Sequence, residues 1–303
     1  MRPHPTRYRT ALEDSARWDG FRFRPGDIVI SAPSKSGTTW TQMICALLVF
    51  QTPDLPAPLT TLSPWVDIRV RPVGETFTRL ERQRHRRFIK THTPLDGLPY
   101  DERVTYLAVG RDPRDVAMSL LHQGANLRRD VISRLLDGPE PDAGREMTPA
   151  TPAEERAYFR AWTDDDTDPL GSLDSLRGLA WQQSRAWVRR QAPNVVLVHY
   201  GDLSHDLDGE MRRLADRLDI TVPEPTWPPL VEAATFARMR KRAVDLVPDE
   251  RLGILKDPDA FFRSGSSGGW QQVLTTEDLA RYDERLAALT APDLARWMHR
   301  GSR

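Results

Sequence analysis

Asp27-Ile-Val-Ile-Ser-Ala-Pro-Ser-Lys-Ser-Gly-Thr-Thr-Trp-Thr-Gln-Met-Ile-Cys-Ala-Leu-Leu48 decides the fold. Ile28-Val29-Ile30 is a short β-branched run of the kind that forms a buried strand. Pro33-Ser34-Lys35-Ser36-Gly37 is a tight loop of small residues around one lysine. From Thr38 onward, Trp40, Met43, Ile44, Leu47 and Leu48 recur at helical spacing. A strand, a small-residue loop and a helix start make an anion cradle, because backbone N–H groups and the positive end of the helix dipole converge there. Lys35 adds a full charge, and Ser36, Thr38 and Thr39 add hydroxyl donors. The common nucleotide loop G-x-x-x-x-G-K-[ST] places lysine after its second glycine. Here Lys35 precedes the loop's single glycine, so this is a related cradle with different wording.

Outward from that stretch, the 303 residues divide into alternating strand and helix signals. Further strands are expected at 87–92, 104–109 and 194–200. Helices are expected at 74–84, after Pro113, and at 153–162, 176–190, 203–218, 233–243, 277–289 and 292–299. Residues 51–62, rich in proline, read as a loop, and 63–67 as a short helix over the site. The fold class is therefore α/β: a mostly parallel central sheet with helices on both faces. We read residues 1–303 as one domain. Residues 137–171, rich in Gly, Pro and Asp, read as a mobile insertion positioned to cover an acceptor entrance.

Ligands of such sheets bind at the carboxyl ends of the strands. Lys35, His92, Arg111 and Tyr200 follow the four strands in turn, which points to one shared site. The 43 basic and 43 acidic residues cancel, so nothing global calls for nucleic acid, and any anion site has to be built locally. The single Cys45 excludes an internal disulfide and suits a reducing, cytoplasmic setting. No apolar run reaches the length of a membrane span, and the N-terminus carries no secretory pattern.

Taken together these pieces resemble the sulfotransferases that use 3′-phosphoadenosine 5′-phosphosulfate (PAPS), over roughly residues 25–275. Residues 33–40 resemble the family's 5′-phosphosulfate loop. Lys90-Thr91-His92 resembles its catalytic K-T-H segment. Val109-Gly110-Arg111-Asp112-Pro113 through Ser119 resembles the 3′-phosphate strand and helix. Phe261-Phe262-Arg263-Ser264-Gly265 with Gly269-Trp270 resembles the late glycine-rich loop. The wording is most similar to actinobacterial members, including mycobacterial glycolipid sulfotransferases.

The resemblance implies a P-loop-like fold and sulfuryl transfer from PAPS to an acceptor hydroxyl, with PAP as product and no metal. The acceptor would be a glycolipid, a small alcohol or phenol, or a natural product. His92 would be the base, with an ordinary imidazole pKa near 6.5, and Lys35 and Lys90 would stabilise the transferring group. Lys35, Ser36, Gly37, Thr38, Thr39 and Trp40 would hold the 5′ end. Arg111, Ser119, Arg263, Ser264 and Gly265 would hold the 3′-phosphate, and Tyr200, Thr235 and Phe236 the nucleoside. Two departures stand out. Ser264 and Gly269 replace charged residues of the late loop, and Gln182-Gln183 stand where a histidine is common. A nucleotide kinase, which would want an acid at the end of a strand, and a nucleotide-binding module without turnover are the competing readings.

Overall fold

The computed structural model describes residues 4–136, 151–247, 253–257, 259–263 and 265–302. Four strands form one parallel sheet: β1 (Ile28–Ser31), β2 (Phe88–Thr91), β3 (Thr105–Gly110) and β4 (Val195–His199), in the order β2-β1-β3-β4. The α-helices run α1 (Thr38–Phe50), α2 (Leu59–Leu62), α3 (Val73–Arg82), α4 (Pro113–Asn126), α5 (Arg129–Leu135), α6 (Pro152–Asp164), α7 (Leu176–Trp187), α8 (Tyr200–His205), α9 (Leu207–Arg217), α10 (Trp227–Ala233), α11 (Phe236–Lys241), α12 (Ala243–Leu246), α13 (Thr276–Leu289) and α14 (Pro292–Arg300). Among the described residues no helix is long and apolar enough to cross a membrane.

β1 is interior and apolar because both its faces are covered. Side chains alternate along it. Ile28 and Ile30 pack with Met43, Ile44 and Leu47 of α1 on one face, while Val29 packs with Trp18, Ile89 and Tyr106 on the other. A third apolar cluster, including Val116, Phe159, Trp162, Tyr282 and Trp297, joins α4, α6, α7, α13 and α14. The N-terminal ends of β1 and β2 are fastened by a buried ion pair. Asp27 and Arg87 are each 2% exposed, and Arg87 Nε donates to Asp27 Oδ1 at 2.8 Å. The other Asp27 oxygen accepts from Arg87 and from the Arg24 amide.

Four local expectations give way to tertiary packing. The segment 63–67 is extended, not helical: Trp65 bridges Lys90 in parallel, Lys90 N–H donates to the Pro64 carbonyl, and Val66 N–H donates to the Lys90 carbonyl. That segment occupies the free edge of β2, where unpaired backbone groups would otherwise remain. A single helical turn, α2, follows Pro58 inside the connection read as a loop. The helix expected over 203–218 is two, α8 and α9, because Asp206 turns extended and caps the Gly209 amide. Likewise 233–243 is broken at Thr235, which is extended and caps α11. Of the insertion, residues 151–171 begin with α6, entered through a Thr151–Glu154 capping box; residues 137–150 lie outside the described residues.

Asp27→Ala would leave the Arg87 guanidinium buried without its carboxylate. The expected loss is about 3–5 kcal/mol of unfolding free energy, read from urea denaturation followed by circular dichroism.

Candidate active site

The carboxyl ends of the strands open into one cavity of about 620 Å³. Its lining includes Lys35, His92, Arg111 and Tyr200, so the four residues that follow the four strands do share a site. The register explains the convergence. Parallel strands all end on the same edge, and β1 pairs with β2 and β3 on either side.

The loop after β1 is held in an uncommon conformation. Lys35 has φ 62° and Gly37 has φ 101°. Gly37 also lies against Tyr200: a Cβ there would come within 3.0 Å of the ring. Gly37 caps α1 with no side-chain bond, leaving the first amides of that helix without a side-chain acceptor. Ser36, expected to hold the 5′ end, is fully buried and does not line the cavity; among the described residues its hydroxyl has no hydrogen-bond partner. Thr38, Thr39 and Trp40 open the helix on the cavity wall. Trp40 is tied down by its indole N–H to the Ala234 carbonyl (2.9 Å) and stands edge-on to Tyr200.

Lys35 faces Arg111, Lys90 and Arg263. Burial first, then these three cations, lower its pKa to about 7. Its ammonium donates to Gln123 Oε1 on α4 and lies 4.2 Å from the centre of the Phe261 ring. Arg111 stacks on Tyr200 (4.2 Å) and donates to the Lys35 carbonyl at 3.1 Å, while its buried Nε has no partner. Ser119, one face along α4, Arg263 and Gly265 line the same wall. Gly265 has φ 64° and presses on Phe236, where a Cβ would meet the ring at 2.3 Å. Asp115 pins this loop to α4 by accepting the Gly268 amide at 2.9 Å.

His92 is held from every side. It is 7% exposed and just past the end of β2. Lys90 and His92 are two apart on an extended chain and share a face, both lining the cavity. Thr91, between them, points away and donates to buried Asp67 at 2.8 Å. The same Asp67 oxygen accepts the His92 amide (3.0 Å), the Thr93 amide (3.1 Å) and the Thr93 hydroxyl (2.9 Å). Burial pushes the Asp67 carboxyl up despite these bonds. Gln182 Nε2 donates to the His92 carbonyl (2.9 Å), and Trp65 packs edge-on to the imidazole. His92 Nδ1 lies 2.5 Å from the Ala32 carbonyl. A carbonyl only accepts, so Nδ1 carries the proton and Nε2 is the free basic nitrogen. Burial, then Lys90, lowers the His92 pKa to about 3. The ordinary imidazole value expected from the sequence is replaced by one that keeps the ring neutral throughout the physiological range.

Not every expected residue reaches the cavity. The Thr235 hydroxyl is spent on capping α11 and on the Glu232 carbonyl (2.8 Å), and Thr235 does not line the wall. Tyr200 lines it as the first residue of α8 instead of the last of a strand. Ser264 lies outside the described residues. Sequence reading passed over Asp67, Gln123, Glu13 and Asp174. None sits in a motif, and only Asp67 lay in a segment already placed over the site.

Comparison with known proteins agrees with this geometry. The family model described as "Sulfotransferase domain" matches residues 25–300. A glycolipid sulfotransferase of Mycobacterium bovis (strain BCG / Pasteur 1173P2) is 45% identical, covering 98% of this chain and 94% of its own. Sulfotransferase 1A1 of Rattus norvegicus is 24% identical over 87% of this chain and 84% of its own. Retinol dehydratase, solved with androsterone and the inactive cofactor PAP, superposes with a TM-score of 0.66 at 21% identity, covering 92% of this chain and 86% of its own. A mouse sulfotransferase complexed with PAP gives 0.63 at 21% identity, over 93% and 91% of the two chains. With a family model spanning nearly the whole chain, a relative at 45% identity and the fold of both solved structures, the chain belongs to the sulfotransferase family and is a sulfotransferase.

Proposed function

We propose that this enzyme transfers the sulfuryl group of PAPS to a hydroxyl of a glycolipid acceptor, with His92 taking the hydroxyl proton. The carrying observation is the set of uncommitted donors around Lys35. The start of α1 has no side-chain cap, and among the described residues Arg111 Nε is buried without a partner. Such groups cost free energy unless a ligand satisfies them, and like-charged Lys35, Arg111 and Arg263 repel one another until an anion lies between them. A nucleotide phosphorylated at both ends of its ribose fits that arrangement; no metal forms part of the reading.

In this reading Lys35, Thr38, Thr39 and the amides opening α1 hold the 5′-phosphosulfate, and Arg111, Ser119 and Arg263 hold the 3′-phosphate. Arg111 is suited to a bidentate grip. Trp40, Phe236 and Tyr200 supply flat walls for the base. Bound PAPS supplies an activated sulfuryl group on a phosphate leaving group. Lys35 and Lys90 offset the charge that gathers there, and His92 Nε2 accepts the acceptor's proton. The set tautomer of His92 supports turnover over a purely binding role. The glycolipid class is carried from the mycobacterial relatives. A cytoplasmic site of action completes the proposal, supported by the free, buried Cys45 thiol.

Calorimetry of nucleotides tests the donor assignment. PAP is expected to bind far more tightly than ADP. Arg111→Ala should weaken PAP by about 10- to 100-fold, the loss of a bond to a charged group, and leave ADP little changed. Equal affinity for PAP and ADP in the native enzyme would sink the assignment.

Lys35 makes that affinity pH-dependent. It binds an anion when protonated, its pKa is about 7 in the free site, and a bound anion raises that value. Affinity is therefore complete below pH 7 and falls as pH rises above it, by at most about tenfold per unit. Titrations at pH 7, 8 and 9 should show the decline in the native protein and a flat response in Lys35→Arg.

For His92, replacement by Gln keeps a hydrogen-bonding side chain and removes the base. The expected loss in kcat is about 10²- to 10⁴-fold, with PAP affinity near that of the native enzyme. Because the free-site pKa is about 3, kcat/KM should show no acid limb from His92 between pH 5 and 7. A kcat within a few-fold of normal in His92→Gln would exclude proton abstraction by this residue.

A further inference from the structure

The donor end of the cavity accounts for its cations; its carboxylates are unaccounted for. Three stretches of chain form one wall away from the phosphate-seeking loop. Glu13 pairs with Ile68 in an antiparallel bridge, Arg69 N–H donates to the Leu12 carbonyl, and Arg9 N–H donates to the Leu170 carbonyl. These ties bring residues 10–13, 68–70 and 171–174 together at the lining. Much of the wall is apolar, with Leu12, Ile68, Val70, Leu120, Leu127 and Tyr158.

Into it project Glu13 and Asp174. The Glu13 carboxylate makes no hydrogen bond among the described residues. Its pKa is pushed well up, by burial and then by Asp67 and Asp174. Asp174 opens onto the cavity, yet protein surrounds it closely enough to push its carboxyl up as well, with the Ser34 hydroxyl as its one opposing bond.

Gln182 supplies the independent observation. It is 3% exposed, lines the same cavity, and commits Nε2 to the His92 carbonyl. Its Oε1 is buried with no partner among the described residues. Lining the same cavity as His92, then, are three groups of one kind: two carboxyls and an amide oxygen, all able to accept hydrogen bonds. A flat phenol or a plain alcohol brings one hydroxyl, which His92 consumes, and would leave these acceptors desolvated and unpaired. A neutral head carrying several adjacent hydroxyls satisfies all of them, with one further hydroxyl reaching His92 and an apolar body lying on the leucine-rich wall.

We propose that Glu13, Asp174 and the Gln182 amide oxygen form the subsite that recognises the sugar of a neutral, polyhydroxylated acceptor with an apolar tail. Glu13 is the residue that separates this class from simple alcohols. The proposal rests on the sulfotransferase reading above and deepens its acceptor half.

The test uses two acceptors with the same tail, octyl glucoside and 1-octanol, and radiolabelled PAPS. The native enzyme is expected to favour octyl glucoside in kcat/KM. Glu13→Ala should lower the glucoside-to-octanol ratio by about 3- to 10-fold, the loss of one buried hydrogen bond. Glu13→Gln keeps the side chain's shape and should retain part of the preference. PAP affinity, measured on each preparation, reports whether a variant is folded and whether the donor site is intact. An unchanged ratio in Glu13→Ala with native PAP affinity overturns the subsite. So does a native enzyme that labels octanol but not the glucoside, or that labels neither. Tight PAP binding in those cases leaves the donor assignment standing, and absent PAP binding removes both.

Discussion

Backbone hydrogen bonds along both edges of β1 are the constraint on which the site depends. Paired in parallel with β2 and β3, β1 brings Lys35, His92 and Arg111 to one edge of the sheet although they are far apart in the chain. β4 adds Tyr200 by its pairing with β3. A parallel sheet needs cover on both faces, and the cavity opens at the carboxyl ends of its strands. The buried Asp27–Arg87 pair holds the opposite ends of β1 and β2 in register, so the same strand pair is fixed at its base and functional at its tip.

The site stores electrostatic tension. A chain with no net charge gathers Lys35, Lys90, Arg111 and Arg263 around one cavity, and their mutual repulsion together with burial lowers the Lys35 pKa to about 7. The amides at the start of α1, which has no side-chain cap, lie on the same cavity wall. Left-handed backbone at Lys35 and Gly37 is part of this arrangement, since it turns the loop back over the helix start. Another wall of the cavity carries Glu13 and Asp174, both pushed up by burial, and Glu13 also by Asp67 and Asp174. His92 lies at the junction of the two.

His92 shows how surroundings fix the state of one imidazole. The Ala32 carbonyl selects its tautomer, Asp67 and Gln182 hold its backbone, and Trp65 limits the ring. Burial beside Lys90 then keeps it neutral. An imidazole of low pKa is always ready to accept a proton but has less affinity for it.

Much of this was legible in the sequence because it is local. The Ile28-Val29-Ile30 run, the loop around Lys35 and the helical spacing from Trp40 announce a strand, a cradle and a helix wherever they are folded. The alternation of strands and helices led to a parallel sheet, and with it to a shared edge for Lys35, His92, Arg111 and Tyr200. What depends on partners distant in the chain could not be read. Asp67 is one acid in a connecting segment until folding sets it under Thr91, His92 and Thr93. Residues 63–67 read as helix until the open edge of β2 draws them out. Thr235 looks like a ligand until the turn into α11 claims its hydroxyl. Glu13 and Asp174 carry no motif, and only the pairing of 13 with 68 and of 9 with 170 makes them one wall. The pKa of His92 was misjudged for the same reason. Composition and spacing state which groups are present, whereas desolvation and neighbouring charge, which set their protonation, exist only after the chain has closed around them.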